Sequence, residues 1–366
     1  MRVLLTGGGT GGHVYPALAV AAALRELQPD VALTYVGTPD GMEANLVPRT
    51  GLPYVAVPAG ALRGRSIVGM AKSGIKLVGG LRMALRRIHE FRPDVLLATG
   101  GYVCAPVVTA AKLAGVPSLI YLPDIEPGLA VKMLARLADR IAVSFEASEQ
   151  YLPKEKVVVT GYPVRPEIRA MDRQTARERL ELPSDATVLL VFGGSRGAQT
   201  INRAVEAALP DLLELGYLIH LSGTDDEPRL RARLSDLAPL YRERYRLYPY
   251  LHEEIAAAFA AADLVVCRAG ASTLGELPAF GLPSVLVPYP YAGAHQWQNA
   301  NYLASRGAAV ALSNDAVQEG ALLPTVRDLM QDQERLARMR AASRALARPE
   351  AARNIAQELL RLARHR

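Results

Sequence analysis

The sequence predicts an α/β protein built on parallel sheets, and three observations carry that prediction. Short apolar runs alternate with stretches of helical period, the pattern of strands joined by crossover helices. The alternation runs through the chain twice. Each series also opens alike, as strand, glycine loop and helix, with VLLTGGGTGG at residues 3–12 and VLLVFGGSRGA at 188–198. At 366 residues the chain is long for one core, so we read two similar Rossmann-like halves.

In chain order the first series comprises RVLL (2–5), ALAVAAALREL (17–27), ALTYV (32–36), DVLLA (94–98) and VVTAAKLAG (107–115). The second comprises TVLLVF (187–192), INRAVEAALPDLLELG (201–216), YLIHLSG (217–223), DLVVCRAG (263–270) and PSVLVPY (283–289). The change-over is expected in GYPVRPEIRA (161–170), where two prolines break any regular element. This divides the chain into 1–163, 164–340 and a helical tail, 341–366, expected to pack back on the first half. The Arg-rich stretch of that tail reads as a solvated helix face.

Forty-two Lys and Arg against thirty-six Asp and Glu leave a charge of +6, which favours anionic partners but is too small to indicate nucleic acid. Cys104 and Cys267 lie far apart in apolar segments without metal-ligand spacing, so both are expected to be buried small hydrophobes in a reducing cytoplasm. Val3 to Leu5 is too short for a signal-peptide core, and no apolar run reaches the roughly 18 residues of a membrane span.

The stretch TGGGTGGH (6–13) packs five glycines around Thr10 and ends on a histidine. Glycine places backbone N–H groups where side chains would clash, and a helix start leaves N–H groups unpaired at the positive end of its dipole. A strand, glycine loop and helix start therefore form an anion cradle, most often for phosphate. Pro16 suits the first turn of the helix that follows. Gly7, Gly9 and Gly12 also match the dinucleotide pattern G-x-G-x-x-G, but the acid expected at the end of the second strand is missing from ALTYVGTPDG (32–41), which argues against that cofactor. His13 stands at the lip of the loop, and a histidine's ordinary pKa near 6.5 suits it to act as a general base at neutral pH.

Taken together, TGGGTGGHVYPALAVA (6–21), GGYVCAPVVTAA (100–111), GYPVR (161–165), FGGSRGA (192–198), CRAGASTLGELPAFGLPSVLVPYP (267–290) and HQWQNA (295–300) resemble the MurG family of glycosyltransferase family 28. The resemblance covers nearly the whole chain in the same order. It implies the GT-B arrangement of two Rossmann-like domains facing across a cleft, at the cytoplasmic face of the cell membrane. It also implies inverting transfer of N-acetylglucosamine (GlcNAc) from UDP-GlcNAc to the C4 hydroxyl of the muramyl sugar of lipid I, giving lipid II. The N-terminal domain would hold the lipid-linked acceptor and the C-terminal domain the UDP-sugar, with no cofactor or bound metal required.

By the same resemblance Gly9, Thr10, Gly11 and Gly12 would offer N–H groups to a pyrophosphate, and His13 would be the base. Arg165 and Ser195 would contact the donor diphosphate, with Arg165 and the helix dipoles doing what Mg²⁺ does elsewhere. Ala271, Ser272, Thr273, Leu274 and Glu276 would form the donor segment, with the Glu276 carboxylate on the ribose hydroxyls. Gln296 would meet the GlcNAc hydroxyls with an amide that both donates and accepts. Residues 63–92 mix Ile67, Met70, Ile75, Leu77, Val78 and Leu81 with Lys72, Lys76, Arg82, Arg86 and Arg87, a combination suited to an anionic membrane surface.

Two segments depart from the family. Tyr121, Leu122, Pro123 and Asp124 stand where family members carry His-Glu-Gln-Asn, and YAGAHQ (291–296) lacks the acids often found before the His-Gln pair. Asp124 can accept from sugar hydroxyls and is a second candidate for orienting or replacing the base. These changes leave open another lipid-linked acceptor. A UDP-GlcNAc 2-epimerase of the same fold and a non-catalytic nucleotide-sugar-binding subunit are the competing classes.

Overall fold

Strand β1 (Arg2–Thr6) buries Val3, Leu4 and Leu5 alike, so both of its faces are covered, as a central parallel strand requires. The computed structural model describes residues 1–60, 67–165, 168, 171–194, 197–251, 254–290 and 295–364, with the backbone alone at 67–76 and 129–130. Two compact units result, Met1–Arg165 with Arg348–Arg366, and Pro166–Ala347.

In the first unit β1 is joined by β2 (Ala32–Gly37), β3 (Tyr54–Ala56), β4 (Val95–Ala98), β5 (Ser118–Leu122), β6 (Arg140–Val143) and β7 (Val157–Val159). They form a seven-stranded sheet of order β3-β2-β1-β4-β5-β6-β7, every pair parallel. Helices α1 (Gly11–Leu27), α2 (Met42–Arg49), α3 (Ile67–Phe91), α4 (Cys104–Leu113) and α5 (Leu129–Leu137) alternate with the strands. The chain re-enters this unit at Arg348, beside the break at Pro349, and its last helix, Ala351–Arg364, packs on α1.

The second unit repeats the plan with β8 (Val188–Phe192), β9 (Tyr217–Leu221), β10 (Tyr245–Tyr248), β11 (Leu264–Cys267), β12 (Ser284–Leu286) and β13 (Ala309–Ala311), in the order β10-β9-β8-β11-β12-β13. In each unit the strand order reverses beside its first strand, between β1 and β4 and between β8 and β11. Ligands of open α/β sheets bind at the carboxyl ends of the strands at such a switch point. The loops found there are TGGGTGGH after β1, GGY after β4, the second glycine loop after β8 and CRAGAS after β11.

One local expectation fails. Helix α1 starts at Gly11, with extended Thr10 as its N-cap, so Pro16 lies inside the helix and not in its first turn. Lacking an N–H, Pro16 leaves the Gly12 carbonyl without its intrahelical donor. Cys104 and Cys267 are both buried free thiols; burial raises the first to about 12 and the second further still.

The helix after the second glycine loop, Gln199–Ala207, is tied to the sheet by a buried polar network. His220 Nε2 donates to Asn202 Oδ1 at 3.0 Å and its Nδ1 accepts from the Tyr245 hydroxyl at 2.9 Å, while Asn202 Nδ2 donates to Ser222 O and Asp226 Oδ2. Desolvation pushes His220 down to about 3, so it stays neutral in the fold. The unfolded chain, with an ordinary histidine near 6.5, binds the extra proton, so this contribution is complete above about pH 6.5 and is lost as pH falls toward about 3. The loss is about 2 kcal/mol by pH 5. Calorimetry should therefore find a smaller drop in Tm between pH 7.5 and 5 for His220→Gln than for the native chain; equal drops would contradict this account.

Candidate active site

The loop after β1 is held by a bond at nearly every peptide. Tyr35 Oη donates to Gly7 O at 2.9 Å, Gly8 N to Gly100 O at 3.1 Å, Gly9 N to Glu43 Oε2 at 3.0 Å, and Thr99 Oγ1 to His13 O at 2.7 Å. These partners come from neighbouring strands because parallel registers Thr6↔Val36 and Thr6↔Ala98 bring the ends of β2 and β4 beside the end of β1. Gly8 is required by close approach, since a Cβ there would overlap the Glu43 carboxylate. Gly100 is required twice over: its φ is +116°, and a Cβ would come within 2.8 Å of His13 Nε2.

His13 is partly exposed, and its Nδ1 lies 3.0 Å from Gly8 O and 3.3 Å from Thr10 Oγ1. A carbonyl oxygen can only accept, so Nδ1 carries the proton in the neutral ring and Nε2 presents its lone pair. Gly11 and Gly12 occupy the first two positions of α1, whose N–H groups have no intrahelical acceptor. Gly9 departs from expectation. Its N–H is occupied by a buried carboxylate, so of the four expected donors only Thr10, Gly11 and Gly12 remain candidates.

Arg165 also belongs here. It closes the first unit, and its guanidinium carbon lies 3.9 Å above the Tyr15 ring, which itself packs beneath Gly11. Of the YLPD segment, Tyr121 and Leu122 are interior residues of β5, and only Asp124 is partly exposed. Buried Ser144 fixes the turn, 2.8 Å from the Tyr121 hydroxyl and donating to Pro123 O at 2.9 Å. Burial raises the Tyr121 hydroxyl well above its ordinary range, with a smaller contribution from the Asp124 charge.

In the second unit, Ser195 lies outside the described residues, as do Tyr291 to Ala294. In the donor segment Thr273 and Leu274 are buried, with Thr273 Oγ1 bonded to Gly270 O at 2.6 Å. Ala271, Ser272 and Glu276 reach the surface at the start of the helix Thr273–Phe280. The turn before it is shaped by Arg268, which donates to Val287 O, Pro288 O and Asn314 Oδ1, and by Asn299 Nδ2 on Ala269 O. Gln296 Oε1 accepts from Tyr289 N at 2.9 Å, so the oxygen of the amide expected to both donate and accept is already engaged.

Residues 3–143 match the glycosyltransferase family 28 N-terminal domain and residues 188–359 the family 28 C-terminal domain. The UDP-N-acetylglucosamine–N-acetylmuramyl-(pentapeptide) pyrophosphoryl-undecaprenol N-acetylglucosamine transferase of Desulforudis audaxviator is 45% identical over 99% of both chains. The chain belongs to the MurG group of glycosyltransferase family 28. It is a glycosyltransferase of GT-B fold. Among solved structures, Acinetobacter baumannii MurG matches with a TM-score of 0.75 at 28% identity, over 98% of this chain and 99% of that one. The UDP-GlcNAc 2-epimerase of Neisseria meningitidis matches at 0.66 over 99% and 100%, but its 13% identity speaks for a common fold alone.

Sequence reasoning missed Glu43, Thr99, Ser144 and Arg268, the side chains that hold the site loops. Only Glu43 left a signal: an acid shortly after β2, where a dinucleotide site would have one, but turned toward the glycine loop.

Proposed function

We propose that this chain transfers GlcNAc from UDP-GlcNAc, with inversion, to the C4 hydroxyl of the muramyl sugar of lipid I, forming lipid II. The full-length likeness, at 45% identity, to a protein named for that transfer carries the reading. The geometry around His13 agrees with it, because its Nε2 is the ring nitrogen left to take a proton.

In this mechanism the donors of Thr10, Gly11 and Gly12 hold a pyrophosphate of the substrates, with Arg165 beside them as a fixed cation. The acceptor's C4 hydroxyl loses its proton to His13 Nε2 as its oxygen attacks the anomeric carbon, and UDP departs from the opposite face. Glu276 accepts from the ribose hydroxyls and the Gln296 amide donates to the sugar. Ser195 and the start of the helix Gln199–Ala207 stabilise the charge developing on UDP. Asp124 accepts from a sugar hydroxyl where family members carry an amide, so the substitution bears on sugar recognition.

We place the enzyme at the cytoplasmic face of the membrane, where a lipid-linked acceptor and a nucleotide-sugar donor would meet. Val78 and Met83 of α3 are 55% and 39% exposed beside Arg82, Arg86 and Arg87, although the last two also pair with Glu90. Ile67, Met70, Lys72, Ile75 and Lys76 have side chains outside the described set. Among the described residues no helix is long and apolar enough to cross a membrane.

The test is acceptor dependence. Purified protein with UDP-GlcNAc should release UDP only when a lipid I analogue is added. Turnover with a different polyprenyl acceptor but none with lipid I would overturn the acceptor assignment, and N-acetylmannosamine formed without any acceptor would replace the transferase reading by the epimerase.

A further inference from the structure

The peptide bond between Gly8 and Gly9 is engaged at both of its polar ends. Its carbonyl accepts from His13 Nδ1 at 3.0 Å, and its N–H donates to Glu43 Oε2 at 3.0 Å. Glu43 is 0% exposed, and its second oxygen accepts from Thr38 N at 3.0 Å and Thr38 Oγ1 at 2.7 Å. All three partners donate, so the carboxyl group is held as an acceptor.

We infer that Glu43 is a positioning residue that acts on His13 through this single peptide bond, as a carboxylate–amide–imidazole chain. The inference rests on the reading of His13 as the base. A negative group at the N–H end of an amide draws the dipole so that its oxygen becomes a stronger acceptor, and hydrogen bonds in series reinforce one another. The strengthened Gly8 carbonyl keeps the proton on His13 Nδ1 and stabilises the imidazolium formed when Nε2 takes the proton of the acceptor hydroxyl. Where a carboxylate touches a histidine directly, it serves the same two purposes. Here the peptide bond carries the effect across.

The arrangement is specifically built. The carboxylate fills the space that a Cβ on Gly8 or on Gly41 would need, and the Gly8–Gly9 segment is further pinned by Tyr35 at Gly7 O and by Gly100 at Gly8 N. A buried carboxylate is costly unless it is hydrogen-bonded, and Thr38 N, Thr38 Oγ1 and Gly9 N supply three donors to it. The other titratable groups that feel this charge are Tyr35, Tyr54 and Cys104. Burial raises all three, Cys104 to about 12, so they remain neutral through the working range. The cation beside the loop is Arg165, stacked on the Tyr15 ring.

The experiment compares kinetics and histidine ¹⁵N spectra of the full chain and its variants. In Glu43→Gln, kcat should fall about 10- to 100-fold with KM for UDP-GlcNAc unchanged. The acid limb of the kcat/KM profile should move to lower pH, and the His13 ring should lose its preference for the Nδ1–H tautomer. Thr38→Val, which frees one lone pair of the carboxylate, should move that limb the other way, and this keeps the test decisive if Glu43→Gln does not fold. In a His13→Ala background Glu43→Gln should add nothing to the loss. Tyr35→Phe removes a loop contact without touching the charge; if it reproduces both the pH shift and the tautomer change, Glu43 is only a brace and the inference falls. The inference also falls if Glu43→Gln leaves the limb and the tautomer unchanged while His13→Ala is inactive. If His13→Ala is itself active, the base assignment has failed instead.

Discussion

Replacing His13 by Ala should lower kcat by roughly 10² to 10⁴ while UDP-GlcNAc binds nearly as before. The expectation rests on the division of labour in the first unit. The donors at Thr10 to Gly12 belong to the backbone and survive the change, whereas Nε2 is the ring nitrogen left with a basic lone pair once Gly8 O has claimed Nδ1. A group that acts only as the hydroxyl attacks contributes to the transition state and not to the ground state, so its loss appears in kcat. Steady-state kinetics with donor affinity measured separately checks the split. An unchanged kcat would move the base role, with Asp124 the next candidate. A loss confined to donor affinity would make His13 a binding residue.

The second large effect is expected far along the chain from the histidine. Gly100→Ala should cost about 1–3 kcal/mol from the backbone alone, because φ is +116° there, a conformation that essentially only glycine adopts. The new methyl would also stand 2.5 Å from His13 Cδ2 and 2.8 Å from Nε2, so the imidazole must leave its place. Displacing a reacting group by about 1 Å can lower the rate about 10²-fold, so kcat should fall by that order in a chain that still folds. The strain should lower Tm by a few degrees, roughly 2–4 °C per kcal/mol for units of this size. Full activity in a folded Gly100→Ala chain would show that the ring does not need the position it occupies.

These two positions also illustrate what could be read from the sequence. Strand and helix periodicity, the doubled glycine loops and the histidine at the first of them are local patterns, and they led to the right architecture. The bonds that hold the loop are not local. Glu43 meets Gly9 across 34 residues and Thr99 meets His13 across 86, contacts that exist only once β2 and β4 have taken their registers beside β1. The same blindness to burial made YLPD look like four changes to a site. Tyr121 and Leu122 are core residues of a strand covered on both faces, so the chemical difference narrows to Asp124 and the turn that Ser144 holds. Pro16 was misplaced because a glycine helix start with Thr10 at its cap begins one turn earlier than a proline signal indicates.

The central claim, that this chain performs inverting GlcNAc transfer to a lipid-linked muramyl sugar, is tested most directly by the structure of its product. After incubation with UDP-GlcNAc and a lipid I analogue, mass spectrometry should find one added N-acetylhexosamine, and proton NMR should place it in β linkage at the muramyl C4 oxygen. An α-linked sugar, attachment at another oxygen, or release of UDP with the acceptor left unmodified would contradict the account.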